Sequence, residues 1–180
     1  MMDKESLELT GLQMEYSFLR EQFLKRVGMR HQVVELTLTI AAAFLGLALT
    51  KEVPTSVAFV FPPIAVFLTL EWTYIDTRQL QTIKYLMELE KRIPELKLGW
   101  EEFKEGKGGF RYAALSHSSI FLFTQVMAIF IGCIEYDKEI NNWIFTHNLT
   151  LPFLVLLSID VVCLLTTVVL IWRIKGPDYI

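Results

Sequence analysis

Residues 151–172 read LPFLVLLSIDVVCLLTTVVLIW, a run with one charge, Asp160, near its middle. A bilayer's hydrocarbon core is about 30 Å thick and takes roughly 20 predominantly apolar residues per helix. At about 1.5 Å of rise per residue this stretch is long enough to cross it. Three other windows share its character, at 33–50, 53–70 and 112–134, and Glu35 is the single formal charge among them. Remaining charges fall in blocks between the windows. The pattern predicts an all-α integral membrane protein with four transmembrane helices.

Composition agrees without deciding the matter. The 180 residues are 53% hydrophobic, a little above the roughly 45–50% of soluble domains. A net charge of −3 supplies no basic surface for nucleic acid, and no nucleic-acid partner is expected. Cys133 lies near the outer end of the third window and Cys163 deep in the fourth, too far apart for a disulfide. The N-terminal residues lack a basic n-region followed by an apolar h-region, so membrane insertion is expected to rest on the internal windows.

The segments between the windows have their own periodicity. In residues 1–32, Leu12, Tyr16, Leu19, Phe23 and Val27 recur at spacings of three and four, one stripe of an amphipathic helix. This helix is expected to run on into the first window. In residues 76–111, Leu80, Ile83, Leu86, Met87 and Ile93 repeat the pattern until Ile93-Pro94 ends or bends it. Each stripe is too narrow to fold alone. Leu12, Leu19, Phe23, Ile83 and Leu86 are therefore candidates for an oligomer or partner interface.

Lys and Arg counts set the topology. Residues 1–32, 76–111 and 173–180 hold fifteen of them, whereas only Lys51 and Lys138 fall on the opposite side. The positive-inside rule then places both termini and the central segment in the cytosol. The expected organisation is a cytosolic amphipathic helix (1–32), a first transmembrane hairpin (33–75), a cytosolic helical segment and loop (76–111), a second hairpin (112–172) and a cytosolic tail (173–180).

Finer expectations follow from particular residues. Ala41-Ala42-Ala43 with Gly46 offers a small face for close helix contact. Lys51 to Pro54 makes a turn, and Pro62-Pro63 is expected to kink the second span. Gly106, Gly108 and Gly109 mark a loop, residues 135–139 an acidic loop, and Trp143 and Phe145 a headgroup-level segment.

Asp160 is the sharpest chemical signal. A charged side chain at mid-bilayer costs about 2.5–3.5 kcal/mol even on the generous insertion scale, so it should face the protein interior. Its depth-matched partners on the third span are Thr124 and Gln125. Two roles stay open: a hydrogen-bonded acid that holds helices together, or a carboxylate on an ion or proton path. A second polar layer lies near the cytosolic boundary, with Glu35, Glu71, Ser116, His117 and Ser119, and Thr166 and Thr167 slightly deeper. Glu35 and Glu71 either snorkel or pair with Arg30 or Arg111, or they ring a pore mouth and attract cations.

Enzyme chemistry is not expected. His31 and His117 stand without the spacing a zinc site requires, so neither a metal nor another cofactor is expected. Arg26 to His31 and Arg111 to His117 match the short Arg-x(4–6)-His pattern of HEPN ribonucleases, but both lie where basic residues flank a span. No Walker loop, G-x-G-x-x-G, H-E-x-x-H or G-x-S-x-G occurs, and Gly106 to Gly109 follows no strand. Asn148-Leu149-Thr150 is a formal glycosylation sequon abutting the fourth span.

Met14-Glu15-Tyr16 through Leu19-Arg20-Glu21, then Lys25-Arg26 and Arg30, leads directly into Thr37-Leu38-Thr39. Over residues 14–76 this organisation resembles the SLATT and S-4TM effector families, and the small membrane accessory proteins of CRISPR loci are similar in size. The resemblance implies a bacterial or archaeal inner-membrane protein of a phage-defence locus that makes membranes permeable. It carries over no site residue. The chain is thus expected to act as a homo-oligomeric pore, the core of one four-helix bundle being filled by side chains. The alternative is a membrane sensor or scaffold that recruits a soluble cytosolic partner. A small transporter ranks below both.

Overall fold

The computed structural model describes residues 4–50, 53–92, 109–141 and 150–174, nearly all of them helical. Helix α1 spans Lys4–Ala48. A 3-10 helix over Thr55–Val60 leads into α2, Phe61–Arg92. Helix α3 covers Gly109–Asn141 and α4 covers Thr150–Ile174. Four helices are long and apolar enough to cross a membrane. The expected loop up to Gly108, the segment around Trp143 and Phe145, Asn148 and Leu149 of the sequon and the end of the tail lie outside the described residues; Gly109, expected in that loop, instead begins α3.

Helix α1 continues through Gly28, as the unbroken periodicity before it suggested. Two other expectations change. Pro62-Pro63 does not bend the second helix; it starts it, in the second and third positions of α2. Proline lacks an N–H, and in a first turn that N–H would have no intrahelical acceptor. The residues before it wind more tightly, with the Phe61 N–H donating to the Ala58 carbonyl. Residues 135–139 form the final turns of α3, not a loop. No glycine or proline interrupts them, so charge alone does not break the helix.

The chain divides into two compact units. The first comprises Met1–Gln32 and Tyr74–Leu115, the second Val33–Thr73 and Ser116–Ile180.

In the first unit the N-terminal part of α1 pairs antiparallel with the C-terminal part of α2. The Tyr16 hydroxyl donates to Glu90 Oε1 at 2.9 Å, and fourteen residues along each helix Arg30 meets Asp76 at 2.6 Å. The inward positions of α1 are Leu12, Tyr16, Leu19, Phe23, Arg26 and Arg30, and those of α2 are Asp76, Gln79, Ile83, Leu86 and Glu90. Spacings alternate three and four on both helices, which keeps one seam facing its partner. Phe23, Ile83, Leu86 and Leu89 form the apolar part of that seam.

In the second unit Ala41, Phe61, Ala65 and Ala128 pack together, with Ile40, Phe44 and Leu45 against them. Small residues at these positions let α1, α2 and α3 approach closely. Trp72 packs on Phe121 with ring centroids 5.9 Å apart, and seven residues away along α2 and α3 Ala65 meets Ala128. Helix α4 joins through Gln125–Thr167 and through Phe153, whose ring meets Phe59 edge-on at 5.7 Å.

Candidate functional site

The second unit exposes large apolar side chains while burying polar ones within its apolar core. On α4 the outward residues are mostly apolar, including Leu154, Val162, Leu165, Val169 and Trp172, with Ser158 and Thr166 among them. The residues it buries are Asp160, Thr167 and Ile171. On α2 Phe67 is exposed and Thr69 buried, beside the buried Phe61, Ala65 and Trp72. In water such a surface would form an exposed apolar patch far larger than soluble proteins tolerate.

The buried polar groups lie at defined levels. Thr69 and Thr124 each stand three residues from the Trp72–Phe121 contact, and Thr37 and Thr69 each stand four residues from Ala41 and Ala65. Gln125 Nε2 donates to Thr167 Oγ1 at 2.8 Å. Thr37, Thr69, Thr124, Gln125 and Thr167 therefore form one layer drawn from all four helices, all buried. Thr37, Thr69 and Thr124 donate to the carbonyls of Val33, Ala65 and Ile120 on their own helices at 2.7, 2.7 and 2.8 Å. That leaves their oxygens as acceptors toward the interior. Gln125 Oε1 is buried and accepts nothing among the described residues.

Asp160 sits seven residues from Thr167, about 10.5 Å along α4. The same step from Gln125 on antiparallel α3 reaches Gly132, which is therefore level with Asp160. Phe59 lies directly against Gly132; a Cβ there would meet its Cζ at 2.6 Å. The Asp160 side chain is 1% exposed, and neither carboxylate oxygen has a hydrogen-bond partner among the described residues. Thr124 and Gln125, expected to be its partners, are buried but belong to the layer two turns away. Gln125 binds Thr167 instead.

Glu35 and Glu71 are both exposed, and each stands two residues beyond the Thr37–Thr69 level, so they are level with one another on adjacent helices. Neither has a side-chain hydrogen bond or ion pair among the described residues. His117 is half-buried and Ser118 buried, near the start of the described side chains of α3.

In the first unit Phe23, Ile83 and Leu86 are buried and Leu12 and Leu19 half-buried, all used within the unit's own seam. Its outward apolar residues include Met14, Phe18 and Leu24. A polar cluster not foreseen from sequence lies in this seam. Arg30 pairs with Asp76, their side chains 9% and 2% exposed, and Arg30 Nη1 also donates to Gln79 Oε1 at 3.3 Å. Arg26 donates to the Thr82 hydroxyl and to the Arg78 carbonyl. Arg30 thus pairs with neither Glu35 nor Glu71. The usable signal was the seven-residue step Tyr16–Phe23–Arg30, which puts an arginine on the buried seam of its helix.

Among the described residues no group of His, Cys, Asp and Glu is arranged to hold a metal ion. Comparison with known proteins yields no matching family model, no matching curated protein and no matching solved structure.

Proposed function

We propose that this chain is an integral membrane protein of a bacterial or archaeal inner membrane. It crosses the bilayer four times, with both termini and the 76–111 segment in the cytosol. Copies of it assemble into a membrane-permeabilising pore. The observation that carries this proposal is Asp160: a buried acid with no hydrogen-bond partner among the described residues, on a helix whose outward face is mostly apolar. An intramembrane acid is costly and, where no cation neutralises it, usually serves ion or proton movement. Asp160 faces the interior of its own protomer, so the groups available to line a mouth between copies are the exposed Glu35 and Glu71. A neighbouring copy covering them removes two carboxylates from lipid and sets them around a shared cation-attracting opening. The resemblance to SLATT and S-4TM effectors supports a permeabilising role in antiviral defence.

A second role is favoured by one observation. Met14, Phe18 and Leu24 are exposed on the first unit, which lies outside the bilayer in this topology. They suit a sensor that recruits a soluble partner there.

The two are separated by measuring mass and leakage of the full-length protein in nanodiscs and liposomes. A pore requires a defined higher oligomer and cation leakage that falls in the Glu35→Gln/Glu71→Gln double variant. A monomer or dimer without leakage, together with a partner lost on Phe18→Asp, overturns the pore in favour of the sensor.

A further inference from the structure

Resting on the membrane-spanning, permeabilising role, we infer that each protomer carries a proton relay through its own four-helix unit, with Asp160 as the group that takes up and releases the proton. A bundle core filled by side chains leaves no lumen for a hydrated metal ion. A proton needs only a chain of groups that both donate and accept hydrogen bonds. Such groups occur here at regular steps. Asp160 is level with position 132 of α3, the Thr37–Thr69–Thr124–Gln125–Thr167 layer with 124 and 125, and buried Ser118 lies seven residues further on beside His117.

The step between stations is about 10.5 Å. At about 2.8 Å per O–H···O bond, the relay requires about three waters across each one. Gln125 Oε1, buried with no donor among the described residues, and Thr167, which accepts from Gln125 and keeps its own proton to donate, are the groups of the middle layer that such waters would meet.

The surroundings of Asp160 select a proton over a metal cation. Two carboxylate oxygens fall well short of the six or more that a hard divalent cation takes. At its level stand Gly132 and the Phe59 ring, which bring no oxygen side chain. Among the described residues, the titratable groups within its electrostatic reach are the thiols of Cys133 on α3 and Cys163 on its own helix. Residues 56–70 and 118–134 contain no Asp, Glu, Lys, Arg or His. In 33–50 only Glu35 does, and it lies near the other end of the unit. Among the described residues no cation neutralises Asp160, and proton transfer is the means by which its charge changes. The step is Asp160–COO⁻ + H⁺ ⇌ Asp160–COOH, the proton arriving from and leaving to bulk water on either side.

The test reconstitutes the full-length protein in liposomes loaded with a pH-sensitive dye and follows proton entry under a potassium diffusion potential, with potassium leakage measured in parallel. Proton entry is expected to fall to the level of protein-free liposomes in Asp160→Asn, to fall in Thr167→Val, and to persist in Asp160→Glu and in Glu35→Gln/Glu71→Gln. Circular dichroism and mass establish that each variant is folded; should Asp160→Asn fail there, Thr167→Val and Asp160→Glu carry the test. Undiminished proton entry in a folded Asp160→Asn overturns the relay while leaving a potassium-leaking pore standing. If the wild type passes neither ion, the permeabilising role fails, and infrared difference spectra on a pH step decide for Asp160. A carboxyl band present in the wild type and missing from Asp160→Asn keeps the proton site, and no such band overturns it.

Discussion

The same substitution, glycine to alanine, is expected to act with opposite sign at two positions of this chain. Gly28 lies inside α1 with nothing within 4 Å of where a Cβ would be, and Gly132 lies inside α3 with Phe59 Cζ, Cε1 and Cε2 at 2.6, 2.8 and 3.0 Å. Both sites are helical, so both gain the alanine preference, about 0.8–1 kcal/mol. At Gly28 nothing offsets that gain. At Gly132 the ring must retreat by about 1 Å to reach an ordinary carbon contact of about 3.5–4.0 Å. Phe59 is buried and also packs edge-on against Phe153, so retreat disturbs a second contact. Overpacking of this kind costs about 1–3 kcal/mol. Because the helix term is common to both, the difference between the two variants is the overpacking penalty alone. For a chain of this size each kcal/mol shifts Tm by about 2–4 °C, so Gly132→Ala should melt about 2–12 °C below Gly28→Ala. The assay is loss of helical circular dichroism on heating in one detergent. Equal melting temperatures, or a higher one for Gly132→Ala, would refute the close packing of Phe59 on α3.

Other outcomes test the remaining geometry. Arg30→Met should destabilise the protein by about 3–5 kcal/mol, because it strands the Asp76 carboxylate in the seam. The Arg30→Met/Asp76→Leu double variant should recover much of that loss in the same melt, a coupling that two independent sites would not give. Phe23→Asp should lower Tm because it buries a charge, whereas Phe18→Asp, on the exposed face, should leave Tm within about 2 °C. Gln125→Leu should change stability by less than about 1.5 kcal/mol, since it removes an unpaired acceptor together with one hydrogen bond; a loss above about 3 kcal/mol would mean that the polar layer holds the bundle together.

How much is legible in the sequence differs from element to element. The four long apolar helices are, because runs of this length with at most one charge have few other physical uses. So is the continuity of α1, since its apolar stripe runs unbroken up to Gly28. The proline pair is not. A proline's effect depends on whether it falls in the first turn or the interior, and composition does not fix where the turn begins. The α3 extension through residues 135–139 escapes the sequence for a related reason: charges favour a loop only where no helix already runs into them.

That Asp160 faces inward follows from cost alone, because a carboxylate is expelled from lipid whatever its neighbours. Its level does not. That requires the Gln125–Thr167 contact, which fixes the register of α3 and α4 and brings Gly132, not Gln125, opposite the acid. The pairing of Arg30 with Asp76, forty-six residues apart in the chain, likewise follows from the way α1 and α2 pair antiparallel. The sequence by itself therefore determined what each helix must bury and expose, since transfer free energy is a property of single residues. Tertiary structure decided which buried groups meet, since register is a property of helix pairs.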